Sequence, residues 1–286
     1  MELQLRAIND SFAREVLGVE LWAELDDGTI DRIATALSNI GVLVFRRQSL
    51  SEDEMVAFTA RLGQPEVIVR SDWGSNLRPE VTHLSNLKDA QGRQIGRPGT
   101  GDLEWHSDQS YQAKPATGTL LYSVEVPTEG GSTYFSNLQI AYEALPQSLK
   151  DKIKGRRGIF SYARRVSGYE QEKGLSKEIK IKTPDVSHAL VQKHPLTGQD
   201  SLYLDPSTVI SIEGMTDEEA KPVLKDINAH AMNSQFIYRH DWQVGDLVMY
   251  DNGFTMHRRD SFDAEQRRFL KRTSVRLPSD RHIVPN

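Results

Sequence analysis

A histidine followed two residues later by a carboxylate occurs once in this sequence, at His106 and Asp108 within Glu104-Trp105-His106-Ser107-Asp108. The chain has eight histidines, so one such pair is expected by chance and the match alone is weak. Its meaning lies in what the spacing permits. On a strand, residues i and i+2 face the same side. One metal can then take an imidazole nitrogen and a carboxylate oxygen from a single short segment. A third ligand must come from elsewhere in the chain. Two histidines and one carboxylate on one face of an octahedron leave three positions open, the pattern that favours iron(II) oxygenases. A closed four-ligand zinc site leaves none.

Seven histidines remain for the third position, and spacing alone does not choose among them. His257 ends the segment from Gly245 to His257, in which a turn, an apolar strand and a short loop would deliver it. Arg268 follows eleven residues later. Several further segments fall in one order along the chain: Trp105-His106-Ser107-Asp108; Pro127 with Gly130-Gly131-Ser132-Thr133; Ala141-Tyr142-Glu143-Ala144-Leu145-Pro146; His194-Pro195-Leu196-Thr197-Gly198; and Trp242 to Val248 with Asp251-Asn252 ahead of His257. Each is weak alone. Together, across roughly residues 40–277, they resemble the taurine dioxygenase / 2,4-dichlorophenoxyacetate dioxygenase family.

The resemblance implies a mononuclear iron(II) enzyme that consumes 2-oxoglutarate and oxygen, releases succinate and CO2, and hydroxylates a small substrate, with C–O or C–S cleavage able to follow. It names His257 as the third ligand beside His106 and Asp108. Arg268 stands where the family pairs the distal carboxylate of 2-oxoglutarate, and Thr133 matches the threonine that assists. A buried carboxylate needs such a partner, and the planar guanidinium fork suits it. Arg267 is the rival. Adjacent strand residues face opposite ways, and register favours Arg268. Arg272, four residues further on, would face the same side and grip a carboxylate or sulfonate on the substrate. Asp102 replaces an asparagine common in the family and is expected near the substrate, where it would meet an amine or hydroxyl. Asp108 fills the position a halogenase must leave vacant. Desaturation and cyclisation remain open outcomes of the same centre. A metal-dependent hydrolase is the reading from another class, but it needs a general base and has no use for Arg268 and Thr133.

The elements that must position these residues are mostly short strands. Gly41 to Phe45, Thr119 to Val126, Ala189 to Gln192, Ser201 to Leu204 and Asp246 to Tyr250 are apolar or alternating, with turn residues between them. Ser51 with Glu54 forms a capping box for a helix carrying Met55, Phe58 and Leu62 on one face, and Gly63 stands at its end. Thr216 with Glu219 repeats the device for a helix running towards Met232, and Pro222 leaves its start or straightness open. The expected fold is mainly β with flanking helices, a distorted double-stranded β-helix or jelly roll. A single domain over residues 1–286 is the economical organisation.

Composition narrows the function further. With no cysteine, disulfides, thiolate zinc sites, iron–sulfur clusters and a cysteine nucleophile are excluded. A chain of 286 residues buries a sizeable core without a structural metal, so a metal here would be catalytic. The formal net charge of −5 and the absence of a basic block argue against nucleic acid. The pairs Arg156-Arg157 and Arg164-Arg165 read as solvated surface charge. No apolar run approaches a bilayer span, and the N-terminus lacks an apolar signal core. A cytoplasmic protein with a small anionic substrate, no membrane partner and a possible homo-oligomeric state is expected. Residues 64–104 should supply much of the substrate pocket.

Overall fold

The computed structural model of the chain describes residues 2–67, 74–75, 77–167 and 183–286. Two antiparallel-rich sheets carry the architecture. The larger runs β1 (Gln4–Ala7), β2 (Arg14–Leu17), β3 (Val42–Phe45), β15 (Leu247–Asp251), β7 (Gly118–Glu125), β17 (Phe269–Arg276) and β4 (Gln64–Glu66), and β5 (Val81–Ser85) also pairs with β17. The smaller runs β14 (Ile237–His240), β8 (Thr133–Asn137), β16 (Thr255–Arg259) and β6 (Leu103–His106). Outside them lie a three-stranded sheet of β10 (Val186–Ala189), β9 (Arg157–Phe160) and β13 (Val209–Ile212), and the pair β11 (Val191–Lys193) and β12 (Asp200–Leu202).

The apolar runs are continuous because the central strands of the larger sheet are buried on both faces. Val42, Val44, Leu121, Val248, Tyr250 and Leu270 turn inward and pack with Phe135 and Tyr238 of the smaller sheet. The alternate residues Leu43, Phe45, Leu120, Tyr122, Leu247 and Met249 turn outward under α1 (Asp27–Ile40) and α2 (Glu52–Leu62), against Ile33, Leu37, Met55, Phe58 and Leu62. One jelly-roll interior thus lies between the sheets. Leu37 is fully buried, so Leu37→Ala would cost about 2–5 kcal/mol.

Helix α2 begins with the expected capping box, in which Ser51 and Glu54 satisfy each other's backbone N–H. Helix α1 was not expected. Asp26 caps it through the Thr29 N–H, and Gly41 ends it in the left-handed conformation. A Cβ on Gly41 would stand 2.6 Å from the Phe254 ring, so glycine is required there on both counts. The helix over Asp217–Ala231 starts at the Thr216 cap and continues through Pro222. Pro222 is exposed, so the carbonyl it leaves unbonded faces water. The expected strand at 189–192 is two strands instead. It breaks at Leu190, whose N–H bonds to Arg156 O and whose carbonyl accepts from Tyr203 N. Among the described residues no helix is long and apolar enough to cross a membrane.

Candidate active site

His106 and His257 are brought together by sheet register. They are direct partners across β6 and β16, with ring centroids 4.1 Å apart. Between this pair and the next, Leu103 opposite Arg259, β6 has two residues where β16 has one, so β6 carries a bulge. At the bulge the Glu104 carbonyl lies 2.7 Å from His106 Nδ1. A carbonyl only accepts, so Nδ1 carries the proton and Nε2 keeps its lone pair free. The strand stops at His106, so Asp108 is not a second residue of one strand face. A turn delivers it instead. Ser107 Oγ anchors that turn by donating to the carbonyls of Asn252 and Thr255, and Gln109 takes a left-handed φ of 58°.

Ligand atoms of His106, Asp108 and His257 all lie within 4.8 Å of one another, and all three residues are buried. Asp108 Oδ1 is 3.8 Å from His106 Nε2. One ring nitrogen of His257, Nδ1, is buried without a partner among the described residues, and the other lies 3.2 Å from the Tyr250 hydroxyl. Phe135 packs against the His257 ring at 6.0 Å. Burial, then His257 and Arg165, hold His106 well below the usual imidazole range. Burial, then Arg165, Arg272 and Arg97, take His257 down to about 4 against the pull of Asp108. Burial opposes the charge on Asp108, but Arg272 and the two histidines outweigh it and hold the carboxyl well below its usual range. Neutral imidazoles beside an ionised carboxylate are the protonation states a divalent metal needs. The donor set suits iron(II).

Arg268 is the inward member of its pair. It is buried, while Arg267 is exposed and bonds Glu125 through both nitrogens of its fork. Arg268 has no ion pair among the described residues, and its Nε has no hydrogen-bond partner. Burial, then Arg259, press its pKa from 12.5 down to about 9. Gly131 lies beside it in the left-handed conformation, φ 68°, where a Cβ would stand 3.1 Å from Pro127 Cγ and 3.4 Å from Arg268 Nε. Thr133 is buried, and its Oγ1 accepts from Trp242 Nε1 at 3.0 Å, which frees its own O–H to donate elsewhere. Arg272 lies on β17 and reaches Asp108 Oδ1 at 3.4 Å.

Asp102 is placed differently from the expectation. It is exposed, and its Oδ1 accepts from Ser261 N at 2.6 Å. It ties the loop at 99–102 to the segment after β16, a link reinforced by Arg259 bonding the carbonyls of Gly99 and Gly101. Arg165 also departs from the surface reading. It is half-buried, donates to Ser207 Oγ and acts on both histidines of the triad. Sequence reasoning missed Thr119 and Tyr250, which bond Asp108, and the tilted ring pair Tyr111 and Tyr162, with centroids 4.6 Å apart, beside Arg165 and Arg272. Tyr111, three residues past Asp108, was the one proximity could have flagged. The pocket expected in 64–104 falls partly outside the described residues, at 68–73 and 76. Within the described part, Arg97 reaches His257 electrostatically.

A family model described as taurine catabolism dioxygenase TauD, TfdA family matches residues 4–274. Alpha-ketoglutarate-dependent 2,4-dichlorophenoxyacetate dioxygenase of Cupriavidus pinatubonensis is 30% identical over 283 residues, which cover 96% of this chain and 98% of that protein. Pentalenolactone F synthase of Streptomyces avermitilis is 29% identical over 273 residues, 90% of this chain and 88% of the other. Among solved structures, the crystal structure of AAD-2 in complex with Mn(II) and N-oxalylglycine matches with a TM-score of 0.82 and 31% identity, covering 97% of this chain and 98% of that one.

Proposed function

This chain belongs to the TauD/TfdA family of iron(II)- and 2-oxoglutarate-dependent dioxygenases, and from that premise we propose that His106, Asp108 and His257 hold the iron while Arg268 and Thr133 hold 2-oxoglutarate and Arg272 holds an anionic substrate. The observation that carries the proposal is a buried two-histidine, one-carboxylate cluster in the same barrel as a buried arginine that has no anion of its own among the described residues. Iron(II), when bound, supplies oxygen activation coupled to decarboxylation of 2-oxoglutarate to succinate and CO2.

The chain's residues have separate tasks. The Glu104 carbonyl keeps His106 Nε2 unprotonated. Arg268 pairs with the distal carboxylate of 2-oxoglutarate, and Thr133 donates to it, its acceptor side being occupied by Trp242. Arg272 holds a carboxylate, sulfonate or sulfate group so that the target carbon stands over the metal, which is the positioning that accelerates a reaction. Tyr111 and Tyr162 line the same side and bury the substrate's apolar part. A 2,4-dichlorophenoxyacetate dioxygenase among the relatives supports an acid with an aromatic or alkyl body.

The test is succinate formation from 2-oxoglutarate by the purified protein with iron(II) and oxygen, across small carboxylates, sulfonates and sulfate esters. Stoichiometric succinate and hydroxylated product with an anionic compound is expected. A best substrate with no anionic group, turned over equally well by Arg272→Ala, would sink the substrate assignment.

A further inference from the structure

We propose that Thr119 and Tyr250 lock Asp108 into binding the metal through Oδ1 alone, which keeps a coordination position open for oxygen. This rests on the reading of His106, Asp108 and His257 as the metal seat.

The two hydroxyls come from one cross-strand pair. Thr119 on β7 stands directly opposite Tyr250 on β15, and both side chains reach the same oxygen. Thr119 Oγ1 is 2.9 Å from Asp108 Oδ2, and the Tyr250 hydroxyl is 3.0 Å from it. An ionised carboxylate only accepts, so both hydroxyls donate. The donor role of Thr119 is fixed a second time: Asn252 Nδ2 donates to its Oγ1 at 2.9 Å, and the same amide nitrogen lies 3.4 Å from the Ala116 carbonyl, which orients the amide. Thr119 and Tyr250 are both fully buried, and Asn252 is nearly so, so water does not compete.

A carboxylate oxygen offers about two lone-pair sites. Both of those on Oδ2 are taken. Oδ1 is the oxygen nearer His106 Nε2, at 3.8 Å, and its further neighbour is the long contact to Arg272 at 3.4 Å. Oδ1 is therefore the oxygen left to ligate. Two-oxygen binding would require Asp108 to give up two charge-assisted hydrogen bonds from buried hydroxyls. The consequence concerns counting. Three protein donors leave three positions on an octahedral metal, two for 2-oxoglutarate and one for oxygen. A carboxylate that chelated would take the third.

The experiment compares the metal-loaded wild type with Thr119→Val, Tyr250→Phe and the double variant, each as the Mn(II) protein with 2-oxoglutarate. Crystal structures should show one Asp108 oxygen on the metal in the wild type and two in the double variant. Thr119→Ser, which keeps the hydroxyl, should retain the one-oxygen mode. With iron(II), the double variant should show an oxygen KM raised at least tenfold, the scale on which outer contacts to metal ligands act. Its calorimetric Kd for 2-oxoglutarate should stay within threefold. An Asp108 bound through both oxygens or through Oδ2 in the wild type overturns the inference, as does one-oxygen binding in the double variant. If the double variant fails to fold, the same criterion applies to Thr119→Val, a change of nearly equal volume. A wild-type protein that binds no Mn(II) refutes the metal seat instead, and that outcome is distinct.

Discussion

Arg268 is a cation stored in an apolar wall, and its replacement should move stability and binding in opposite directions. The side chain is buried, and its pKa falls from 12.5 to about 9, through burial first and Arg259 second. At about 1.36 kcal/mol for each tenfold change in acidity, that descent corresponds to roughly 5 kcal/mol working against the charge in the ligand-free protein. Arg268→Met keeps most of the packing volume and removes the charge. The ligand-free variant should therefore melt higher than the wild type, by up to about 10 °C at roughly 2 °C per kcal/mol for a chain of this size. Binding should move the other way. Removing one partner of a buried charge pair costs about 2–5 kcal/mol, which is a loss of about 30-fold or more in affinity for 2-oxoglutarate. Scanning calorimetry of the metal-free protein measures the first quantity, and titration calorimetry of 2-oxoglutarate into the Mn(II) protein measures the second. A variant that melts several degrees lower and binds 2-oxoglutarate within twofold of the wild type would refute both the stored charge and its purpose. Such a trade between stability and activity is common where a site holds groups in reserve for a ligand.

His106→Ala, Asp108→Ala and His257→Ala should each remove succinate formation while leaving the far-ultraviolet circular dichroism unchanged, because the core is built without the metal; retained turnover in His257→Ala would show that another group completes the seat. Arg272→Ala should raise the KM for the primary substrate at least tenfold and that for 2-oxoglutarate less than threefold, measured by succinate release. Acid should destabilise the metal-free fold. His257 is lowered from 6.5 to about 4, and His106, His188, His194 and His240 are also lowered, each by burial first. Between pH 6.5 and about 4 the unfolded chain binds more protons than the folded one, so stability falls as pH falls through that window. Asp205, raised by burial, works in the opposite sense but is one group. His257 alone contributes on the order of 3 kcal/mol, read as a lower urea midpoint at pH 4.5 than at pH 7; equal midpoints would contradict it.

The local signals were legible in the sequence. The capping boxes at Ser51 and Thr216 are four-residue patterns whose meaning is contained in those residues, and both helices start there. Helix α1 escaped notice because Asp26 caps it through Thr29 with no glutamate reaching back, so only the spacing of Ile30, Ile33 and Leu37 marked it. The seat was legible in part. His106 and Asp108 stood out by spacing, although the turn at Ser107 and not a strand face joins them. The choice of His257 came from resemblance, because its proximity to His106 is a matter of strand register between segments some 150 residues apart. Tyr250 lies 142 residues from the carboxylate it bonds, and nothing in an apolar strand sequence distinguishes a tyrosine that packs from one that also donates. Asp102 shows the converse. Chain proximity to His106 suggested a role in the pocket, but its backbone partner at Ser261 turns it to a loop.

The two strands that carry the histidines are not equally held. β16 is flanked by β8 and β6, whereas β6 ends the four-stranded order among the described strands and has β16 as its neighbour there. Strands at an edge open at lower free energy than central ones, and the bulge at Glu104 and Trp105 leaves β6 with a broken ladder besides. Fraying of β6 would withdraw His106 and leave His257 on β16 and Asp108, which Thr119 and Tyr250 hold from the central strands, in place. The residence time of a bound metal would then follow the breathing of one edge strand and not the unfolding of the barrel. Metal would then enter and leave a folded protein, and hydrogen exchange at the Trp105 and His106 amides should run at a matching rate.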